Sequence, residues 1–124
     1  MTGFNETMTV EPVEGGFVEI SEHRAYENGV HYRSKLYVQA RDAGALASAL
    51  ERFVQTQVDQ EVPLADGRLV VFAVDRSEMI NLELFRADGI PHGGYDTLEL
   101  GPGVARALID GLRDQQRAGA EGGG

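Results

Sequence analysis

The sequence predicts an α+β domain: a strongly twisted antiparallel sheet of about six strands with two helices packed on one of its faces. Two observations carry this prediction. Apolar residues alternate with period two in two separate blocks, and each block closes with one segment of helical period. Turn residues, Gly15-Gly16 and Asn28-Gly29 among them, fall between the alternating runs. At 124 residues the chain has the size of one domain, long enough to bury about two-thirds of the surface its unfolded form exposes.

In the first block, residues 8–13, 17–22 and 30–39 read as strands. Within the turn Glu27-Asn28-Gly29, the Asn28-Gly29 pair is the strongest hairpin signal. On the third strand, alternation sets Val30, Tyr32, Leu36 and Val38 on one face. His31, Arg33, Lys35, Tyr37 and Gln39 lie on the other. Asp42 is placed to cap a helix reaching about Val58, with Leu46, Ala49, Leu50, Phe53 and Gln57 at helical spacing. Residues 60–67, carrying Glu61, Pro63, Asp66 and Gly67, read as the loop between blocks.

The second block opens with the β-branched and aromatic run 69–74, expected to bury Val70, Phe72 and Val74. In residues 80–85, Ile80, Leu82 and Leu84 face one way and Asn81, Glu83 and Phe85 the other. A short strand at 97–100 follows the Gly-rich stretch 89–94. Pro102 suits the first position of a helix in which Val104, Ala105, Leu108, Ile109 and Leu112 form the buried stripe, with Arg106, Asp110, Arg113 and Asp114 in solvent. The shared plan suggests a βββα unit duplicated over 8–58 and 68–116 within a single domain, 1–116. Residues 117–124 lack large apolar side chains and are expected to form a flexible Gly-rich tail.

Composition narrows the function. With 42% apolar and 25% charged residues and a mean hydropathy of −0.25, the chain is that of a soluble protein. Cysteine is absent, which removes disulfides, thiolate metal sites and thiol chemistry and fits the cytoplasm. Neither a leader nor an apolar run of membrane-spanning length is expected. A net charge of −9 disfavours general duplex binding driven by phosphate neutralisation.

No arrangement of side chains predicts catalysis. Leu98-Glu99-Leu100-Gly101-Pro102-Gly103 runs from strand to helix through Gly-x-Gly, but Arg106 stands where a dinucleotide fingerprint needs its third glycine. His23, His31 and His92 form no metal-ligand spacing. Ser21-Glu22-His23 are consecutive strand residues pointing to alternate faces, so they do not assemble a triad. Asp59, Glu61 and Asp66 sit in a solvated connection that does not tune a carboxyl pair. The expectation is a non-enzyme without cofactor or metal.

One segment stands apart. Between His23 and Arg41 the chain carries Arg24, Arg33, Lys35 and Arg41 against Glu27 alone, a positive stretch in an acidic protein. Arg33, Lys35 and Tyr37 are expected to project together, with His31 beside them and Arg24 joining from the neighbouring strand. Edge protection by charge, with Arg33 and Lys35 paired to Glu19 or Glu22 across the hairpin, accounts for the same pattern. The stretch Ile90-Pro91-His92-Gly93-Gly94-Tyr95 offers a second surface, through His92 and Tyr95.

The run Ile80-Asn81-Leu82-Glu83-Leu84-Phe85, then Asp88-Gly89, Pro91 and Thr97-Leu98-Glu99-Leu100 before a helix, resembles the ending of the PC4-type transcriptional coactivator domain. Residues 17–38 have the same character. That family, like the similar Pur-alpha and whirly proteins, binds single-stranded nucleic acid on a curved antiparallel sheet followed by a helix, often as a dimer or tandem repeat. The resemblance implies that Arg24, Arg33, Lys35 and Tyr37 line the sheet face. Glu83 departs from it, standing where the family tends to place a basic residue.

Three functions are therefore expected, in this order. The first is a non-catalytic binding or regulatory protein acting through a protein partner that meets the basic hairpin. The second is a single-stranded nucleic-acid-binding regulator, with a homodimer formed through a sheet edge as one assembly. The third is an acidic inhibitor or immunity-type protein using residues 59–66.

Overall fold

A computed structural model of the chain describes residues 4–64, 67–73, 78–86 and 97–122. Its elements are β1 (Phe4–Val13), β2 (Phe17–Tyr26), β3 (His31–Gln39), a 3-10 turn (Ala40–Asp42), α1 (Ala43–Thr56), β4 (Gln60–Leu64), β5 (Gly67–Ala73), β6 (Ile80–Arg86), β7 (Thr97–Leu100), a 3-10 turn (Pro102–Val104) and α2 (Ala105–Gly122). The α+β class is as the sequence predicts. The single sheet of about six strands is not: the described residues form seven strands in two antiparallel sheets, β1-β2-β3 and β4-β5-β6-β7. Each ladder joins strands adjacent in sequence, and α1 stands between the two sets.

The β2–β3 hairpin forms where Asn28-Gly29 predicts it. Gly29 has φ 87°, the Asn28 side-chain oxygen accepts from the Val30 N–H at 3.0 Å, and the Tyr26 N–H reaches the Val30 carbonyl at 2.9 Å. An asparagine that bonds its own turn and a glycine free of Cβ strain are what such a turn needs. The three strands it belongs to are long, nine or ten residues each. That length matters for the site.

Residues 60–64, expected to be loop, are a strand. Val62 is buried, and Pro63 is tolerated because β4 lies at a sheet edge, where a missing N–H breaks no ladder. On β5 the buried set is Leu69 and Val71, while Val70 and Phe72 are half-buried; Val74 lies outside the described residues. An uninterrupted apolar run carries no alternation, so its inward phase was not readable. On β6 the inward set is the expected one, with Ile80 and Leu82 buried and Leu84 packed against the core.

Helix α1 begins after Asp42, but the Asp42 side chain makes no capping bond because the preceding residues already turn as a 3-10 helix. It ends at Gln57, which has φ 58° and whose N–H bonds the Phe53 carbonyl at 2.8 Å, so Gln57 closes the helix instead of joining the buried stripe. Leu46, Leu50 and Phe53 from α1 and Leu108, Ile109 and Leu112 from α2 are buried in one core with Val18, Ile20, Leu36, Val38, Leu69, Val71, Leu82, Leu98 and Leu100. Glu51 ties the two helices, bonding Arg113 at 3.0 Å and Arg106 at 3.1 Å. The Arg113 bond is the main cause that holds the Glu51 carboxyl below its ordinary range. Helix α2 continues to Gly122, further than composition suggests. No described helix is long and apolar enough to cross a membrane.

Candidate functional site

The β2–β3 hairpin presents two faces, and alternation decides which residues share each. On β2, Val18 and Ile20 point into the core, so Glu22 and Arg24, in the same phase, point inward too. Across the ladder Val18 pairs Val38, Ile20 pairs Leu36, Glu22 pairs Ser34 and Arg24 pairs Tyr32. The inner face is thus apolar at one end, where the helices cover it, and polar at the other. The outer face collects Glu19, Ser21 and His23 from β2 and His31, Arg33, Lys35 and Tyr37 from β3.

Glu19 organises that outer face. It accepts from the Tyr37 hydroxyl at 2.9 Å and the Ser21 hydroxyl at 3.2 Å, and lies 3.7 Å from the Lys35 ammonium. The Tyr37 bond, above all, keeps its carboxyl below the ordinary range. Arg33 is exposed and has no ion pair among the described residues. His23 and His31 stack, ring centroids 5.1 Å apart at 10°, with Nε2 and Nδ1 at 2.9 Å. Of the predicted set, His31, Arg33, Lys35 and Tyr37 therefore share one surface. Lys35 is partly neutralised by Glu19, as an edge guarded by charge would have it, whereas the expected pairing of Glu22 does not occur. His92 and Tyr95 lie outside the described residues.

Arg24 departs from expectation. It does not join Arg33 and Lys35 but sits on the inner face, 7% exposed, where β7 crosses the polar end of the hairpin. Its Nε lies 2.8 Å from Glu22 Oε2, though not aligned as a hydrogen bond, and its Nη1 donates to Glu99 at 3.3 Å and to the Tyr26 hydroxyl at 3.4 Å. Its guanidinium also lies 5.2 Å from the centre of the Tyr32 ring, which meets Tyr26 edge-on at 5.5 Å. Burial acts to lower the Arg24 pKa, but Glu22 and Glu99 outweigh it and raise it.

Glu22 is 1% exposed. Burial is the main cause that lifts its carboxyl to about 8, followed by a hydrogen bond with Glu6, against the pull of Arg24. Ser34 donates to Glu22 at 3.2 Å and receives the Glu99 N–H at 3.4 Å. Glu6 accepts the Gly101 N–H at 2.9 Å. Glu6, Glu22, Ser34 and Arg24 thus stitch β1, β2 and β3 to the end of β7. Beside them opens a cleft of about 490 Å³ lined by Arg24, Tyr26, Asn28, Val30, Tyr32 and Glu99.

Sequence reasoning missed this inner cluster, although its signal was present: Glu22 and Arg24 keep the phase of Val18 and Ile20. Among the described residues no three His, Asp or Glu side chains are grouped to hold a metal. Compared with known proteins, the chain matches no family model and no curated sequence.

Proposed function

We propose that this protein is a non-catalytic binding or regulatory protein of the cytoplasm that acts through a protein partner, with the outer face of the β2–β3 hairpin as its contact surface. The observation that carries this reading is Arg33: an exposed guanidinium without an ion pair among the described residues, on a face it shares with Lys35 and Tyr37. An acidic protein that leaves one arginine unmatched on an ordered strand has a group available for a carboxylate on a partner. The Glu19 bond to Tyr37 supports the same reading by fixing the ring beside it in advance of binding. The test is affinity capture with the full chain and its Arg33→Glu, Lys35→Glu double variant. A stoichiometric protein partner is expected with the first and not the second; equal capture by both rejects this face.

A second reading is a single-stranded nucleic-acid-binding regulator, in line with the resemblance and with a duplicated βββα plan. It is favoured by Tyr37 and Arg33 on one face, a ring for stacking beside a cation for phosphate. The inward turn of Arg24 and the presence of Glu19 subtract from the positive charge it needs, which is why it stands second. Titration with a fluorescent single-stranded oligonucleotide at low salt separates the two readings. Affinity that falls with salt and again with Tyr37→Ala supports nucleic acid, and absence of binding retires it.

A further inference from the structure

The cleft on the opposite face of the hairpin has no part in that function. It is lined by the Arg24–Glu99 pair, by Tyr26 and Tyr32, and by Asn28 and Val30. At about 490 Å³ it has the size of a small-ligand site. Tyr32 is 51% exposed and Val30 41%, so both offer apolar surface to whatever enters.

The charge of the cluster decides the kind of ligand. One guanidinium, Arg24, is set among Glu22, Glu99 and, beyond Glu22, Glu6. Even with a proton held on Glu22, carboxylates outnumber the cation, and the molecule as a whole is at −9. An incoming anion would meet an arginine that is buried and already paired with Glu99; an incoming cation would meet Glu99, whose side chain is 42% exposed and engaged by Arg24 through Oε1 alone. The protein also displays the contact such a ligand would make, because Arg24 packs its own guanidinium against Tyr32 at 5.2 Å.

We propose that this cleft binds a guanidinium-bearing ligand, whose planar cation lies against Tyr26 or Tyr32 and donates to Glu99. Guanidinium is favoured over ammonium because it is flat, weakly hydrated and stacks on a ring while its edge bonds a carboxylate. Two sources supply this group, a free small molecule and an arginine side chain in a peptide.

The experiment titrates the isotopically labelled full chain by NMR with n-butylguanidine, with the blocked peptide Gly-Arg-Gly, and with n-butylamine and butyrate as controls. Saturable shifts at Tyr26, Tyr32 and Glu99 are expected with a guanidinium compound, with weaker binding of butylamine and none of butyrate. n-Butylguanidine binding more tightly identifies the small-molecule source, and the peptide binding more tightly identifies the side chain. Glu99→Gln should weaken binding by about tenfold or more. Tyr32→Leu, at a position 51% exposed, should weaken it severalfold while leaving capture by the outer face unchanged. Binding of butyrate in place of the cations, shifts spread over the acidic surface and insensitive to Glu99→Gln, or no saturable binding at all would each overturn the assignment. Loss of capture by the Arg33→Glu, Lys35→Glu variant leaves this site untouched, so the two proposals fail separately.

Discussion

At Glu22 a folded glutamate keeps a proton that the unfolded chain releases. Its carboxyl is lifted from an ordinary 4.5 to about 8, chiefly by burial and then by its bond with Glu6. Between those two values the folded state binds more protons than the unfolded state, so its contribution to stability is whole below pH 4.5 and declines as pH rises toward 8. The decline is at most about 1.4 kcal/mol per pH unit. Urea midpoints measured across this window should fall with rising pH, and Glu22→Gln, neutral throughout, should flatten the slope; a level profile for the unaltered chain would refute the buried acid. Glu19 and Glu51 act in the other direction and lower down, since their depressed values withdraw stability only in acid. Gly101 offers a second probe of the same cluster. Its backbone, φ −77°, accepts alanine, but a Cβ there would stand 2.6 Å from Glu6 Oε1 and displace the carboxylate that its N–H binds. Gly101→Ala should cost about 1–3 kcal/mol in chemical denaturation.

Between elements, α2 approaches β1 closely at Gly111. A Cβ on Gly111 would lie 2.9 Å from Val10 Cγ2 and 3.2 Å from its Cβ, and valine has little rotameric freedom to give way. Gly111→Ala improves helix propensity by about 0.8–1 kcal/mol, yet overpacking of roughly 1–3 kcal/mol should exceed it. The net expected effect is a lower melting temperature, restored by adding Val10→Ala; a stabilised single variant would contradict the close packing. Elements of this kind were largely legible beforehand. Helical periodicity located Leu46, Leu50 and Phe53 and Leu108, Ile109 and Leu112, and Asn28-Gly29 located the hairpin. What escaped has physical causes: β5 is apolar on both faces and hides its phase, and Pro63 marked β4 as loop when it only marks an edge. The outer-face set was legible by alternation alone. Arg24 turns inward because it keeps the phase of Ile20 in spite of its charge, and its pairing with Glu99 was illegible because no local pattern links residues 75 apart.

On the scale of the whole molecule, the sheets are not independent. The two helices bury their stripes in one core with residues of both sheets, and β7 reaches across to β1, β2 and β3 through Glu6, Arg24 and Ser34. Unfolding should accordingly be a single event. Three of the four tyrosines, Tyr26, Tyr32 and Tyr37, lie in the first sheet of a chain without tryptophan, so tyrosine emission reports mainly on that sheet, and far-ultraviolet dichroism reports on both sheets and the helices. The two signals should give coincident midpoints in urea, and Phe53→Ala should shift both together by about 3–5 kcal/mol; separated transitions would mean two autonomous halves. The strand order has a kinetic corollary. Since every ladder joins neighbours along the chain, each meander can zip from its own turns without a long loop to close, which argues for rapid refolding by β-rich standards. The slow step expected is the docking of β7 over Arg24, where the guanidinium and Glu99 must shed water before they find one another.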